Sequence, residues 1–232
     1  MSETLIRYER GDDGVHVLVL TGAGERFFCA GADIRMLSSA TPRFKYSFCL
    51  HANETLSRLE QTPKLVIAAL NGHCVGGGLE VALAADLRIA RRGAGKTGLP
   101  EVSLGVLPGT GGTQRLPRLV GKARALELMA TGRLLDFEEA REIGLVGDVV
   151  DAPDAASFLA VVRGRAREFV PPGRASRAVG LIKRAVQSGM EMAFAEALAL
   201  ERELQQQLFE SEDAREGIAA HLEKRKPAFK GR

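Results

Sequence analysis

The sequence predicts an α/β fold followed by a helical C-terminal region, and three observations support this prediction. Short runs of β-branched and other apolar residues, typical of buried strands, occur at residues 15–20, 65–70 and 87–90. Helix-like segments alternate with these runs, and that alternation is characteristic of α/β proteins. After Asp151, only helices are predicted.

The predicted elements of residues 1–150 follow one another in a regular order. The first strand ends at the turn Thr21-Gly22-Ala23-Gly24, and the second begins after Pro63 and ends at Asn71-Gly72. A glycine triplet then precedes a predicted helix at residues 79–85, which leads into the third strand. The remaining predictions are a loop at residues 105–112, helices at residues 116–130 and 136–143, and a strand at residues 145–150.

Residues 151–232 are predicted to form a second, all-helical region. The predicted helices lie at residues 155–170, 174–187 and 192–209, and a last one runs from Ser211 to Arg225. Pro171-Pro172-Gly173 and Ser188-Gly189 separate the first three helices. Ser211 is a favourable N-cap for the last helix. The chain is therefore expected to comprise an α/β core at residues 1–150 and a helical region after it.

Composition and charge exclude several classes of protein. Apolar residues make up 45% and charged residues 26%, which is typical of a globular chain and not of a disordered one. The net charge is +3, but residues 221–232 contain five basic residues and one acid, so the rest of the chain sums to −1. A nucleic-acid-binding face would need basic residues on the folded body, so we expect no nucleic-acid partner.

The sequence also lacks the patterns of a membrane, secreted or metal-binding protein. No run approaches the roughly eighteen apolar residues of a membrane span, and the N-terminus lacks the apolar core of a secretory signal. The chain has three cysteines, an odd number, and they are widely spaced at Cys29, Cys49 and Cys74. This pattern is typical of reduced thiols. The four histidines show no metal-ligand spacing. We therefore expect a cytoplasmic protein without a membrane segment or a metal site.

Three short motifs fall short of the functional patterns that they resemble. Gly95-Lys96-Thr97 lacks the earlier glycine of a phosphate-binding loop, because Ala90 stands at that position, and Pro100 interrupts the helix that should follow. Gly22-Ala23-Gly24 lacks the third glycine of a dinucleotide-binding turn. Glu101-Val-Ser103-Leu-Gly105 lacks the first glycine of a nucleophile elbow.

Glu80 is the first candidate for a catalytic group. Its neighbours one helical turn away, Leu83 and Ala84, are apolar, and a helix that is apolar on all sides is buried. Burying a carboxylate in an apolar environment is costly unless the group has a partner. Two interpretations stay open: Glu80 takes part in catalysis, or it reaches solvent or pairs with an arginine such as Arg88.

Three further segments have a functional and a purely structural interpretation. Gly76-Gly77-Gly78 either forms a simple turn or brings backbone N–H groups close to an anionic ligand oxygen. Glu101, which follows Pro100 in a rigid loop, is either a catalytic acid or an exposed loop acid. Residues 27–34 predict a buried turn whose N–H groups need partners, either ligand oxygens or protein carbonyls.

Together, these segments resemble the motifs of the crotonase family, which comprises enoyl-CoA hydratases and isomerases. The matching stretches are Phe28-Cys-Ala-Gly-Ala-Asp-Ile34, Asn71-Gly-His-Cys-Val-Gly-Gly-Gly-Leu-Glu80, Gly98-Leu-Pro-Glu-Val102, Pro108-Gly-Thr-Gly-Gly-Thr-Gln-Arg-Leu116, Thr131-Gly132, Ala140-Arg-Glu-Ile-Gly-Leu-Val146 and Glu223-Lys-Arg-Lys-Pro-Ala-Phe229. They occur in the order of the family from about residue 15 to the C-terminus. Several long motifs in one order are far more specific than any one of them.

The resemblance implies a particular fold and ligand. The fold is a crotonase-like spiral of ββα units with a helical C-terminal region that packs in homotrimers, often as dimers of trimers. The ligand is an acyl-CoA thioester, in which coenzyme A is part of the substrate, and no other cofactor is implied. The backbone N–H groups of Ala30 and Gly77 would form the oxyanion hole that stabilises the thioester enolate.

The resemblance also implies roles for individual residues. Hydratases of the family keep glutamates at the positions of Glu80 and Glu101, because addition of water to an enoyl thioester needs a base and an acid. Glu101 is assigned as the acid that protonates C2, and Glu80 as the carboxylate that orients and activates water. Substrate contacts are implied for Gly31, Ala32, Asp33, Ile34, Gly76, Leu99, Pro100 and Gly109. Lys224 and Lys226 either contact CoA phosphates or are solvated cations at a helix end.

The N-terminal region departs from the family pattern. Residues 5–10 resemble its first strand, but Gly11-Asp-Asp-Gly14 leads directly into the strand at residues 15–20, which in the family follows a further strand and a helix. That strand and helix are predicted to be missing between Arg10 and Val15. In the family, the corresponding region helps to bind the adenine end of CoA.

Three functions are compatible with these observations. The first is an enoyl-CoA hydratase that acts on a 2-enoyl-CoA. The second is another reaction of the family, such as double-bond isomerisation or hydration of a methylglutaconyl-type substrate. The third, suggested by the missing segment, is a non-catalytic acyl-CoA-binding or oligomerisation module.

Overall fold

The computed structural model of the chain describes residues 14–232. The strand suggested at residues 5–10 lies outside this range, as does most of the segment between Arg10 and Val15 where a gap is predicted, so both stay predictions. The strands are β1 Val17–Thr21, β2 Phe27–Cys29, β3 Leu65–Leu70, β4 His73–Val75, β5 Leu87–Arg91, β6 Lys96–Gly98, β7 Leu135–Asp136 and β8 Asp148–Val150.

The strands form two four-stranded sheets. Their orders are β1-β3-β5-β8 and β2-β4-β6-β7. The pairs β2–β4, β3–β5, β4–β6 and β5–β8 are parallel, whereas β6–β7 is antiparallel. Because β1–β2, β3–β4 and β5–β6 each supply one strand to either sheet and are each followed by helical structure, the chain advances in ββα turns, as predicted.

Helices connect the strands and then make up the rest of the chain. They are α1 Ile34–Ser38, α2 Pro42–Gln61, α3 Gly77–Leu83, α4 Gly112–Val120, α5 Lys122–Thr131, α6 Phe137–Glu142, α7 Ala155–Ala166, α8 Ser176–Gly189, α9 Phe194–Phe209 and α10 Glu212–Leu222, with 3-10 turns at Glu101–Leu104 and Arg167–Phe169. Within residues 14–232, none of these helices is long and apolar enough to cross a membrane.

The core is built around β3 and α3. Residues 66–70 of β3 are fully buried, because the strand is covered on both faces, and this explains its uninterrupted apolar sequence. Five of the seven residues of α3 are buried as well. At the end of β3, the buried side chain of Asn71 accepts a hydrogen bond from the N–H of Gly22 at 2.9 Å. Asn71 thereby joins the turns that follow β1 and β3.

The chain divides into two compact units. One comprises Glu60–Val66 and Arg163–Arg232 together with the described residues up to Leu18, and the other comprises Val19–Leu59 and Ile67–Val162. The second unit contains α3, the Glu101–Leu104 turn and α4. The sequence predicts a boundary at residue 151, between an α/β core and a helical region. That boundary stays a prediction.

Several elements differ from their predicted bounds for local reasons. The helix predicted at residues 116–130 is two helices, because Gly121 has φ +82° and ends α4 before α5 begins. The helix predicted from residue 79 begins at Gly77, since Gly76 with φ +56° turns the chain. Helix α2 is absent from the predictions because only Thr55, Leu56 and Leu59 are buried along its 20 residues, which leaves a weak apolar pattern.

Candidate active site

Glu80 lies in the first turn of α3, where the chain passes from β4 into the core. The left-handed backbone of Gly76, a conformation that favours glycine, makes the sharp turn between the two elements. As a result, the side chain of Glu80 is only 2% exposed. The prediction of a carboxylate in a buried helix is confirmed.

The carboxylate of Glu80 is held by the loop that precedes α4. The backbone N–H groups of Thr110 and Gly112 donate to Oε1 at 2.7 and 2.8 Å, and the hydroxyl of Thr110 donates to Oε2. Arg88, the pairing partner considered above, instead donates to the carbonyls of Leu145 and Ala85 at 2.8 and 2.7 Å. Glu80 is therefore fixed by hydrogen bonds from a loop and neither reaches solvent nor depends on Arg88.

Glu101 begins the 3-10 turn after β6 and has a different environment. Its side chain is half-buried, and among the residues that the structure describes its buried Oε2 has no hydrogen-bond partner. Burial raises the pKa of the Glu101 carboxyl above its ordinary value, and the negative charge of Glu80 adds to the rise, whereas a backbone hydrogen bond and Lys45 oppose it. Glu101 is thus disposed to retain a proton, as a general acid must.

The two carboxyl groups lie beside adjacent glycines, that of Glu101 beside Gly76 and that of Glu80 beside Gly77. A methyl group at Gly76 would lie 3.1 Å from Oε1 of Glu101, and one at Gly77 would lie 3.8 Å from Oε2 of Glu80. The absence of side chains at these positions keeps the space next to both carboxyls open. An acceptor-only carboxylate and a carboxyl with a raised pKa can there act on one substrate or one water.

The two predicted oxyanion residues lie on segments that approach each other closely. Ala30 follows the end of β2 and is exposed, while the N–H of Gly77 opens α3, where a helix leaves N–H groups without intrahelical partners. A methyl group at Gly31 would lie 3.0 Å from the nitrogen of Gly77, and one at Gly77 would lie 3.3 Å from Cα of Gly31. The structure thus brings the two segments together, and the oxyanion role of their N–H groups stays a prediction.

The other residues predicted to contact substrate in this unit fall into two groups. Ala32, Asp33 and Ile34 follow the Ala30 segment, where the Asp33 carboxylate caps α1 by accepting from the N–H of Arg35 at 2.8 Å. Leu99 is buried beneath the loop that holds the Glu80 carboxylate, since a methyl group at Gly112 would lie 2.8 Å from Cδ1 of Leu99. Pro100 adjoins Glu101, and Gly109 adjoins Thr110. Their contacts with a substrate stay predictions.

Lys224 and Lys226 lie in the other compact unit, after the end of α10. Both are exposed, and Lys224 has a left-handed backbone with φ +55°. Arg225 between them has its guanidinium bound to the carboxylates of Glu216 and Glu223, at 2.6 Å in each pair. The CoA-phosphate role of the two lysines stays a prediction.

The structure adds residues that the sequence analysis missed. Lys45, Cys49 and Asn53 lie at four-residue intervals on α2 and hence on one helical face. The sulfur of Cys49 would be 3.0 Å from a methyl group at Gly109, and Oδ1 of Asn53 would be 3.6 Å from one at Gly111. This face of α2 therefore packs on the loop that holds Glu80. The four-residue spacing is visible in the sequence, but its meaning depends on recognising α2.

Comparisons with known proteins agree with this description. A family model described as enoyl-CoA hydratase/isomerase matches residues 2–232. A probable enoyl-CoA hydratase of Bacillus subtilis (strain 168) is 42% identical over 221 residues, which cover 95% of this chain and 83% of that protein. A short-chain-enoyl-CoA hydratase of Clostridium acetobutylicum is 40% identical over 222 residues, with 95% and 83% covered.

Solved structures show the same fold. The enoyl-CoA hydratase structure from Bacillus anthracis superposes with a TM-score of 0.88 at 36% identity, over 99% of this chain and 88% of that one. A structure from Geobacillus kaustophilus HTA426, also an enoyl-CoA hydratase, has a TM-score of 0.93 at 50% identity, over 99% and 85% of the two chains. The predicted spiral of ββα units is confirmed.

Proposed function

The chain belongs to the enoyl-CoA hydratase/isomerase family, also called the crotonase family, and we propose that this enzyme is a hydratase that adds water across the C2=C3 bond of a 2-enoyl-CoA. One observation above all supports the hydratase: two carboxyls of opposite character lie beside Gly76 and Gly77. Glu80 is an acceptor fixed by three donors, whereas Glu101 has an oxygen without a partner among the described residues and a raised pKa.

In the proposed reaction, the thioester carbonyl accepts hydrogen bonds from the N–H groups of Ala30 and Gly77. The close approach of the two segments at Gly31 supports this pairing. Conjugate addition to the enoyl thioester places negative charge on the thioester oxygen. Oriented N–H donors stabilise that charge, and each one contributes a few kcal/mol, about 3, in comparable sites.

Glu80 and Glu101 then divide the proton transfers between them. Water bonds to C3 through its oxygen while one of its protons passes to Glu80, and the electron pair of C2=C3 moves into the enolate. The proton of Glu101 next bonds to C2 as the thioester carbonyl re-forms. Because the two carboxyls lie beside adjacent glycines, Gly76 and Gly77, the addition is proposed to be syn. A proton returned from Glu80 to Glu101 through solvent restores the enzyme.

The remaining features of the proposal concern the surroundings of the reaction. The substrate is an acyl-CoA, and no cofactor apart from its own CoA moiety takes part. Lys224 and Lys226 are proposed to meet CoA phosphates, and the chain to assemble as a homotrimer or a dimer of trimers in the cytoplasm. The similarity to enoyl-CoA hydratases supports the acyl-CoA substrate.

The first test is turnover of crotonyl-CoA, followed by the loss of the conjugated enoyl thioester absorbance. We expect Glu80→Gln and Glu101→Gln each to lower kcat by about 10²- to 10⁴-fold, because each removes one proton-transfer group. Undiminished activity in both variants would contradict the mechanism.

Product analysis distinguishes the competing functions. Mass spectrometry after incubation with 2-enoyl and 3-enoyl thioesters is expected to show the mass of one added water with the 2-enoyl substrate. A double-bond shift without a change in mass would identify an isomerase. Tight calorimetric binding of an acyl-CoA without turnover would identify a non-catalytic binding module.

A further inference from the structure

We propose that Arg115 is a positioning residue for this reaction: its guanidinium fixes the peptide between Thr110 and Gly111, which connects the two peptide groups whose N–H groups donate to Glu80. The inference deepens the proposed function, since it rests on Glu80 as the group that activates water. Arg115 lies in the first turn of α4, and its guanidinium Nη1 donates to the carbonyl of Thr110 at 3.2 Å.

The loop has an uncommon geometry that needs such a donor. The N–H groups of Thr110 and Gly112, two residues apart, both donate to Oε1 of Glu80. Their convergence requires a left-handed residue between them, and Gly111 has φ +108°. The carbonyl of Thr110 is left to a different partner, and the guanidinium of Arg115 supplies a charge-assisted hydrogen bond to it.

Gly111 is shaped for this contact as well as for its backbone conformation. A methyl group there would collide with Nη1 of Arg115, so the guanidinium occupies the space that any other side chain would take. Across this space, Oδ1 of Asn53 on α2 would lie 3.6 Å from the same methyl group. The Thr110–Gly111 peptide is therefore confined between α2 and the side chain of Arg115.

Arg115 acts through Thr110 and not on the substrate. Thr110 contacts the arginine through its carbonyl and Glu80 through its N–H and its hydroxyl, so one residue links the two. Loss of the guanidinium would free the peptide to rotate and would misdirect donors to Glu80. Lysine is a poor substitute, since an ammonium lacks the planar fork that suits this narrow space.

The test compares Arg115→Met with a matched control, Arg118→Met. Arg118 lies on the same helix and is exposed, and its Nη1 donates to the carbonyl of Gln114 at 2.8 Å. We expect Arg115→Met to lower kcat for crotonyl-CoA by about 10- to 100-fold, the effect of losing a hydrogen bond that involves a charged group. KM is expected to change less than about threefold, and Arg118→Met to behave as the parent protein.

Two further measurements separate positioning from a merely structural role. In the Glu80→Gln background, Arg115→Met is expected to cause little additional loss, because both changes act on one group. Added methylguanidine is expected to restore part of the kcat of Arg115→Ala, and Arg115→Lys to remain impaired. Equal loss in both backgrounds, or unchanged kcat in Arg115→Met with a normal melting temperature, would overturn the proposal.

Hydrogen–deuterium exchange keeps the test independent of turnover. We expect the peptide that contains residues 108–112 to exchange faster in Arg115→Met than in the parent protein or Arg118→Met. If the parent protein hydrates no enoyl-CoA, the proposed function fails, while this exchange difference still decides whether Arg115 orders the loop. An exchange rate unchanged by Arg115→Met would refute the positioning role even in an active hydratase.

Discussion

Glu80 and Glu101 belong to one site but are held in opposite ways. Glu80 is 2% exposed and accepts three hydrogen bonds from Thr110 and Gly112, whereas Glu101 is half-buried with an oxygen that has no partner in the described part of the chain. The comparison shows that burial alone does not decide what a carboxyl does. Three donors fix Glu80 as an acceptor, whereas burial of Glu101, with no partner for Oε2 among the described residues, raises its pKa and disposes it to hold a proton.

The difference originates in the elements that present the two residues. Glu80 is anchored by α3 and by a loop that α2 and Arg115 confine. Glu101 begins a single 3-10 turn, and exposed apolar residues lie within that turn and directly after it. These are Val102, Leu104, Val106 and Leu107. One side of the site is therefore rigidly built from the core, and the other borders an open apolar surface.

The largest expected effect on stability comes from replacing each glutamate with methionine. Glu80→Met would leave the buried N–H groups of Thr110 and Gly112 without an acceptor, which costs about 1–3 kcal/mol for each group. We therefore expect the free energy of unfolding to fall by about 3 kcal/mol. Glu101→Met should change it by less than about 1 kcal/mol, since Oε2 has no partner to lose among the described residues.

Urea denaturation at a fixed protein concentration measures both changes. Glu80→Gln is the matched control, because its amide oxygen can still accept from the two N–H groups. Equal destabilisation by the two methionine variants would break the contrast between the residues.

Substitution of Thr110 tests a single contact of Glu80, the hydrogen bond that its Oε2 accepts from the threonine hydroxyl. Thr110→Val removes the donor to Oε2 but keeps the shape of the side chain and both N–H bonds. We expect kcat to fall by about 10-fold, within the range for a hydrogen bond to a charged acceptor. Thr110→Ser retains a hydroxyl and should remain near the parent rate. Steady-state kinetics with crotonyl-CoA decides between these outcomes, and a Thr110→Val enzyme as fast as Thr110→Ser would show that the hydroxyl is dispensable.

The sequence predicts the part of the site that local patterns encode. Glu80 in an all-apolar helix and the glycines at residues 76–78 are visible as anomalies within a few residues, and the structure confirms a buried carboxylate at a glycine turn. The strand at residues 65–70 was also predictable, because a fully buried parallel strand is apolar at every position. The family motifs then predict the spiral fold, which the solved structures confirm.

The missed features depend on contacts between distant segments. Strands β2, β4 and β6 have three residues each, too few to show an alternating pattern. Thr110 and Arg115 resemble ordinary residues of a glycine-rich loop and a helix. They follow Glu80 by 30 and 35 positions in the sequence, and only the fold connects them to that glutamate. Their roles follow from geometry that no local pattern contains.

The smallest expected effect is a shift in the pH dependence of kcat/KM, which reports the pKa of Glu101. Lys45 favours the ionised form of Glu101, and its ammonium lies 5.1 Å from the ring centre of Phe48. Removal of this charge in Lys45→Met should raise the pKa of Glu101 further. Because the acid form protonates C2, activity is lost as pH rises through that pKa, so the alkaline limb of kcat/KM should move to higher pH.

The pH profile of kcat/KM measures this shift, which we expect to be less than about one unit for a partly exposed pair. Lys45→Arg keeps the positive charge and is expected to retain the parent profile. At about 1 M salt, where charges are screened within roughly 3 Å, the parent profile should approach that of Lys45→Met. A shift to lower pH, or an equal shift in Lys45→Arg, would mean that Glu101 is not the acid whose titration limits the rate.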